Sequence, residues 1–337
     1  MGLNITEIVP RKEIQFSDLK NKILAVDAFN TIYQFLSTIR QPDGTPLMDK
    51  KQRVTSHLSG LFYRNINLLR EGIKMIYVFD GKASKLKAKT HEKRKDVKEV
   101  AFQKYEKAKQ EEDIEEMGKY ARQLASIDEE KIKESKELLE SMGIPCVQAS
   151  GEGEAQASYL SQKKEVYATA SQDYDSLLFG SPVLIQNLTL SRKRKTFSGY
   201  TTINPELIEL ERVLNSLQIN YEQLICLGIL VGTDYNPGGI KGIGPKKALA
   251  LVRQKKAPTL IFKEVEAQLS FDWQEIFEMF KKPNITPMKY EDINFPKLNQ
   301  EKIKEILLEH DFSEERINSG LEKLNKAKEE QKQRTLF

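Results

Sequence analysis

Short apolar runs, each leading into acids, constrain this chain more than any other feature. Ile23-Leu24-Ala25-Val26 is closed by Asp27, and Met75-Ile76-Tyr77-Val78-Phe79 by Asp80 and Gly81. Val166-Tyr167-Ala168-Thr169-Ala170 leads to Asp173 and Asp175. Glu152 and Glu154 stand in Gly151-Glu152-Gly153-Glu154-Ala155, ahead of a helical pattern, and Asp234 stands in Gly232-Thr233-Asp234-Tyr235 after another apolar run. In parallel α/β folds ligands bind beyond the carboxyl ends of strands. If these elements share one sheet, seven acids meet in one crevice. Each acid alone reads more readily as a turn former or an N-cap than as a metal ligand; the recurrence is what points to a site. Like charges so close need compensation, and Mg²⁺ or Mn²⁺ suits carboxylate and water oxygens. Asp173 and Asp175 share a face if their strand continues. Glu152 and Glu154 reach one centre only if Glu152 lies in the pre-helical turn, since i,i+2 residues on a helix do not face each other.

The 337 residues suffice for one large or two ordinary domains. Net charge is only +4, but the charge is unevenly spread. Residues 82–110 carry eleven Lys/Arg and four Asp/Glu, whereas residues 111–140 carry five and eleven. A basic stretch beside an acidic one suggests phosphate handling next to the metals, or else a solvated helical hairpin. The two cysteines, Cys146 and Cys226, lie in apolar runs and have no CxxC spacing, which excludes a zinc ribbon and fits a reducing compartment. The three histidines are scattered, arguing against zinc. No apolar run is long enough to span a membrane, and no signal peptide is expected. Met1-Gly2-Leu3-Asn4-Ile5-Thr6 fits a myristoylation pattern that is too short to carry weight alone.

Periodicity predicts strands over 22–27, 73–80, 144–148, 166–170, 183–188 and 196–203, the last two separated by the basic run Arg192-Lys193-Arg194-Lys195. It predicts helices over 28–39, 52–70 and about 154–163, protruding helices in 82–140, and helix almost throughout after Asn204-Pro205. Residues 283–297 read as an irregular connection and 326–337 as a polar tail, leaving a single domain over 1–325. The expected fold is α/β, a largely parallel central sheet flanked by helices.

Residues 239–248 read Gly-Ile-Lys-Gly-Ile-Gly-Pro-Lys-Lys-Ala, and six Lys/Arg with no acid fall between 241 and 256. Glycines let backbone N–H groups approach a phosphate, Pro245 suits the first helical position, and the helix start attracts an anion. Gly242, Gly244, Lys246 and Lys247 are therefore candidate contacts to a nucleic-acid backbone, a contact that reads shape rather than sequence. The spacing fits neither a Walker loop nor a dinucleotide fingerprint. The segment resembles the turn of helix-hairpin-helix DNA binders.

With these motifs together, nearly the whole chain resembles the flap endonucleases of the archaeal and eukaryotic type, in the structure-specific 5′-nuclease superfamily. The segments that carry the resemblance are Val26-Asp27-Ala28-Phe29, Val78-Phe79-Asp80-Gly81-Lys82, 151–155, Ser171-Gln172-Asp173-Tyr174-Asp175, 232–235 and 239–248. The resemblance implies Mg²⁺-dependent 5′-flap and 5′-exonuclease activity at DNA junctions in replication and repair. Asp80, Glu152 and Glu154, with Asp27 through water, would serve one metal, and Asp173, Asp175 and Asp234 a second. Tyr33 would stack on a base beside the scissile phosphate. Lys87 and Arg94 would stand at the base of a helical arch, about 82–130, that admits a 5′ single strand; seven residues is nearly two helical turns, so both would project from one face. A helix-two-turn-helix at about 220–255 would grip duplex and bind K⁺. The tail matches a sliding-clamp (PCNA) box at Gln333 and Leu336, but the chain stops at Phe337, ahead of the expected aromatic pair, so a shortened or weakened clamp contact is implied. A monomer acting inside the cell on branched DNA is expected. The competing classes are a two-metal enzyme for small phosphate esters, disfavoured by the basic arch, and a non-catalytic DNA adaptor, disfavoured by the complete acid set.

Overall fold

Apolar alternation along two adjacent strands builds the molecule from its centre outward. In the computed structural model, which describes residues 3–41, 43–82, 87–111, 113–189, 193–196 and 199–334, strand β1 is Lys12–Glu13 and β2 is Ile23–Asp27. Helices α1 (Ala28–Thr38) and α2 (Ser56–Arg70) lead to β3 (Lys74–Phe79). A hairpin of α3 (Ala88–Gln110) and α4 (Ile114–Gln123) precedes α5 (Glu129–Ser141) and β4 (Cys146–Gln148). Then come α6 (Gly153–Gln162), β5 (Ala168–Ala170), α7 (Asp175–Leu178) and β6 (Val183–Gln186). A β7/β8 ribbon (Lys193–Thr196, Gly199–Thr202) leads into β9 (Glu206–Glu209). Helices α8 (Leu210–Leu217), α9 (Tyr221–Val231), α10 (Pro245–Lys255), α11 (Pro258–Glu264), α12 (Trp273–Lys281), α13 (Gln300–Glu309) and α14 (Glu314–Arg334) follow.

The main sheet runs β1-β9-β6-β5-β2-β3-β4. From β6 to β4 every pairing is parallel; β9 joins β6, and β1 joins β9, antiparallel. After β2 the chain moves outward to β3 and β4, then returns to the other side of β2 as β5. The β2/β5 boundary is thus a topological switch point, where a crevice opens beyond the strand ends. Leu24, Val26, Met75, Tyr77 and Phe79 face one core with α1, α2, α5, α13 and α14, while Ala25, Ile76 and Val78 face the opposite side with α6. Burying a side chain such as Phe62 contributes about 1.5–3 kcal/mol, and the buried Tyr77 hydroxyl is satisfied by donating to Asn65 Oδ1 at 2.9 Å.

One polar cluster ties the α2, α5 and α13 layer. Glu134 accepts from His57 Nε2 at 2.9 Å and lies 3.1 Å from His310 Nε2. His310 Nδ1 faces Asp49 at 3.5 Å, and Arg53 bridges Asp49 (2.7 Å) to Glu309 (3.0 Å).

Several expectations need correcting. The sheet is largely parallel as expected, but residues 206–209, expected to be helical, form strand β9, which pairs antiparallel with β6 and β1. Part of the basic run is itself strand β7. Helix α2 starts at Ser56; the preceding residues fold back instead, with Met48 bridging Val54. The boundary at 325/326 is not an element end: α14 runs on to Arg334, with Leu324 and Ala327 buried and Lys328 Nζ donating to the Gly143 carbonyl at 3.1 Å. Residues 326–334 are therefore helix, not free tail. The α3–α4 hairpin meets the body where Gly44, at φ +82°, touches Gly118; a Cβ on Gly44 would lie 2.2 Å from the Gly118 Cα. Among the described residues no helix is long and apolar enough to cross a membrane.

Candidate active site

The three central strands deliver acids to one end of the sheet. Asp27 closes β2 and caps α1, accepting from the Asn30 N–H at 3.1 Å. Asp80 follows β3 and accepts from the Gly153 N–H at 2.7 Å. Gly153 is needed for that approach, because a Cβ there would lie 2.8 Å from Asp80 Oδ1. Glu152 is the N-cap of α6, in the pre-helical turn, and Glu154 lies in the helix's first turn. Asp173 and Asp175 do not share a strand face: β5 ends at Ala170, and Asp175 opens α7. Asp234 follows the C-terminus of α9, so it comes from a helix end rather than a strand end.

Burial and mutual repulsion set the chemistry. Asp27 is pushed up to about 8, first by burial and then by Asp80. Asp175 is likewise pushed up to about 8, by burial and then by Asp173 and Asp234. Asp80 is raised by burial and Glu152, and Glu154 by burial, Asp27, Asp175 and Asp173. Glu154 thus faces Asp27, Asp173 and Asp175, while Asp80 faces Glu152 and Asp234. The acids form one continuous group rather than two separate sets.

Lys87, the residue ahead of α3, reaches this group from the hairpin. Its Nζ contacts Glu152 and lies 5.4 Å from the centre of the Tyr235 ring. Burial opposes its charge, but Glu152, Asp80 and Asp234 raise its pKa. The Arg94 side chain, and those of Gln333, Leu336 and Phe337, lie outside the described residues. Tyr33 stands on α1 with 44% of its surface exposed.

The donor set is made of carboxylates, with neither histidine nor cysteine among them, and fits a hard divalent cation. Buried acids that repel one another regain their ionised form beside such a charge. Among the described residues no three acids, histidines or cysteines already enclose a single ion point. Many of the carboxylate oxygens are turned to Lys87, to the N–H groups of Gly153, Asn30 and Leu3 (the last to Asp175, 3.3 Å), and to hydroxyls.

The sequence pattern missed these supporting groups. Asn30 donates through Nδ2 to Asp173 at 2.9 Å and accepts from the Gln172 N–H at 3.2 Å. Ser171 (2.8 Å) and Ser176 (3.2 Å) donate to Glu154. Their closeness in sequence to the acids was the only signal; Leu3 had none.

The second candidate region also takes shape. Gly242 is at φ +80°, Gly244 caps α10, Pro245 opens it, and Ile240 anchors the turn in the core. Added Cβ atoms at Gly242 and Gly244 would meet only open space, so a ligand backbone can come close. The two lysines are engaged rather than free: Lys246 pairs with Glu7 at 3.1 Å, and Lys247 donates to the Gly242 carbonyl at 3.0 Å.

A crevice of buried and half-buried acids at the switch point of a largely parallel sheet, entered by a lysine from a helical hairpin, fits a metal-dependent phosphodiester hydrolase. Residues 4–101 match the XPG N-terminal domain and residues 143–234 the XPG I-region, with much of the hairpin between them. Flap endonuclease 1 of Pyrococcus furiosus is 54% identical over 339 residues, covering 100% of this chain and 98% of that relative. Flap endonuclease 1 of Thermococcus onnurineus is 52% identical over the same span and coverage. The solved flap endonuclease-1 from Methanococcus jannaschii superposes with a TM-score of 0.76 at 40% identity, covering 97% of this chain and 98% of its own. The catalytic core of Rad2 in complex with DNA substrate, at 23% identity and a TM-score of 0.69, shares the fold. The chain belongs to the flap endonucleases of the XPG family, and is a DNA-cleaving hydrolase.

Proposed function

We propose that the chain hydrolyses one phosphodiester where a 5′ single strand leaves a DNA duplex, using two Mg²⁺ ions for which Mn²⁺ can substitute, with accompanying 5′-exonuclease activity. The observation that carries this reading is the continuous group of buried and half-buried acids beyond β5, β2 and β3, with Lys87 reaching into it. Asp80, Glu152 and Asp27 would hold one ion, Asp173, Asp175 and Asp234 the other, and Glu154 would stand between them. When bound, the ions would supply charge neutralisation and an acidified water. Lys87, and Arg94 two helical turns on, add positive charge where the scissile phosphate becomes more negative. Departure leaves a 5′-phosphate and a 3′-hydroxyl.

Selection of the junction falls to the periphery. The exposed Tyr33 ring stacks on a base next to the cut. The α3–α4 hairpin admits the 5′ strand. The turn at Gly242 and Gly244 meets duplex backbone with Lys246 and Lys247, and its carbonyls hold K⁺. Gln333, Leu336 and Phe337 engage a sliding clamp of the PCNA kind, and the enzyme works as a monomer, at replicating or repairing DNA. One assay tests the reading: 5′-flap, nicked, gapped and 3′-flap duplexes with and without Mg²⁺. Mg²⁺-dependent cleavage preferring the 5′ flap is expected; equal cleavage of the 3′ flap, or cleavage in chelator, overturns it.

A further inference from the structure

Apolar side chains are exposed where the chain is most charged. Val97 (57% exposed), Val100 (50%), Phe102 and Ile114 all stand on the α3–α4 hairpin. The contact between its helices does not need these valines, because Ala101 and Ala108 are buried there instead. Nor does helix propensity favour them, since valine is poorer than the lysine and glutamate around it. Val97, Val100 and Lys104 of α3 and Lys119 and Tyr120 of α4 line a groove of about 450 Å³. Lys104 Nζ lies 5.5 Å and Lys119 Nζ 5.0 Å from the centre of the Tyr120 ring. Among the described residues Asp96 is the one acid in the lining, and Lys119 also reaches Glu116 at 2.7 Å.

An aromatic ring beside an apolar wall, with two ammonium groups over the ring that can move to a phosphate, matches a flat base joined to a phosphate. Base–aromatic stacking tolerates any sequence, because every base has a π-face. We propose that this groove seats one nucleobase of the unpaired 5′ strand, stacked on Tyr120 and packed on Val97 and Val100, with a lysine leaving the ring for the adjoining phosphate. The inference rests on the reading that the 5′ strand enters the hairpin. It adds a discrete subsite at a fixed distance along the flap, so the hairpin grips one nucleotide rather than serving only as a charged ring.

The test uses the full chain and a 5′-flap junction with an uncleavable linkage at the cut site. 2-Aminopurine is placed at successive flap positions. Its fluorescence should be quenched at one or two neighbouring positions. Tyr120→Ala should abolish that quenching and weaken flap binding by roughly fivefold to a hundredfold, the range for loss of one stacked base. Tyr120→Phe should preserve both. Val97→Ser with Val100→Ser should weaken the same position, which keeps the test decisive if Tyr120→Ala loses helix by circular dichroism. Ile114→Ala, on the same hairpin outside the groove lining, should change nothing. Absence of a quenched position, or an unchanged pattern in Tyr120→Ala, overturns the proposal. A flap with a bulky 5′ block separates the two readings: if blocked flaps stay uncut and no position is quenched, the groove fails and strand entry stands. If blocked flaps are cut freely, strand entry itself fails.

Discussion

Two groups of titratable side chains lie in the same molecule and are built in opposite ways. Around Glu134 unlike partners meet. Burial would raise Glu134, but hydrogen bonds from His310 and His57 overcome it and hold the carboxyl down at about 2. Burial pushes the His57 ring down, so at neutral pH it acts as a neutral donor to that carboxylate. Burial likewise opposes Asp49, which the Arg53 N–H and guanidinium keep below the usual carboxylate range. Beyond the strand ends like meets like, and Asp27 and Asp175 rise to about 8. The first arrangement stabilises the fold. The second costs the fold stability that a bound cation can return, because whatever binds the native state alone stabilises it.

Breaking the frustrated group should produce the largest effect, and in two directions at once. Asp175→Asn should lower Mg²⁺-dependent cleavage by at least about a thousandfold, roughly 4 kcal/mol of barrier, yet raise the melting temperature measured in chelator. A fall in melting temperature would mean the repulsion is absent. The same logic sets a pH dependence. For acids raised from the ordinary 3.8 to about 8, the native state holds protons the unfolded chain has lost, so their contribution makes stability fall as pH rises across that window. Added Mg²⁺ should flatten this slope, as followed by calorimetry at pH 5 and pH 8.

Among the described residues, Lys87 brings an opposite charge from the hairpin into that group. Lys87→Ala should slow single-turnover cleavage by roughly 100- to 1000-fold with little change in junction affinity. Collapse of affinity at an unchanged rate would reduce it to a phosphate grip.

The satisfied group should respond in stability alone. Glu134→Ala leaves the buried ring donors of His57 and His310 without their shared acceptor and should cost about 3 kcal/mol, or about 4 °C of melting temperature in a chain of this size. Cleavage well below the transition should be unchanged. The sign with pH is opposite to that of the acid site. Glu134 lies below its ordinary 4.5, so its contribution is complete above that pH and is lost as pH falls toward about 2. A variant that melts like the parent at pH 7 would remove the cluster from the stability argument.

The smallest effect belongs to the exposed turn. Lys246 and Lys247 already have partners, and exposed pairs of this kind contribute little. Lys246→Ala with Lys247→Ala should weaken binding to all duplex sequences alike, and each lost phosphate contact should flatten the log–log salt slope by about 0.9. Loss confined to certain sequences would exclude a backbone contact.

What could be read from the sequence follows the same divide between strong and weak local signals. Asp27 and Asp80 were legible because an unbroken apolar run ends at each, and Glu152 because sharing a centre with Glu154 requires the pre-helical turn that its flanking glycines permit. The spacing of Asp173 and Asp175 misled, since two acids two apart look alike whether a strand continues or a helix begins between them. Strand β9 was missed because Glu206-Leu207-Ile208-Glu209 has acids at both ends and lacks alternation. The end of α14 was misread because its buried stripe of Ile317, Leu321, Leu324 and Ala327 thins to one methyl among lysines and glutamates. Leu3 could not be found at all: its contact to Asp175 spans 172 residues of sequence and uses only a backbone N–H.

The sheet's outermost strands carry a consequence for behaviour in crowded solution. At one edge β1 offers two residues, the charged and exposed Lys12 and Glu13, and at the other β4 offers three. A strand from a neighbouring molecule gains little backbone pairing from so short a template, and charge discourages it further. Seven strands are thus closed to lateral growth without barrel closure, and many copies can gather on one stretch of DNA without the sheets zipping together.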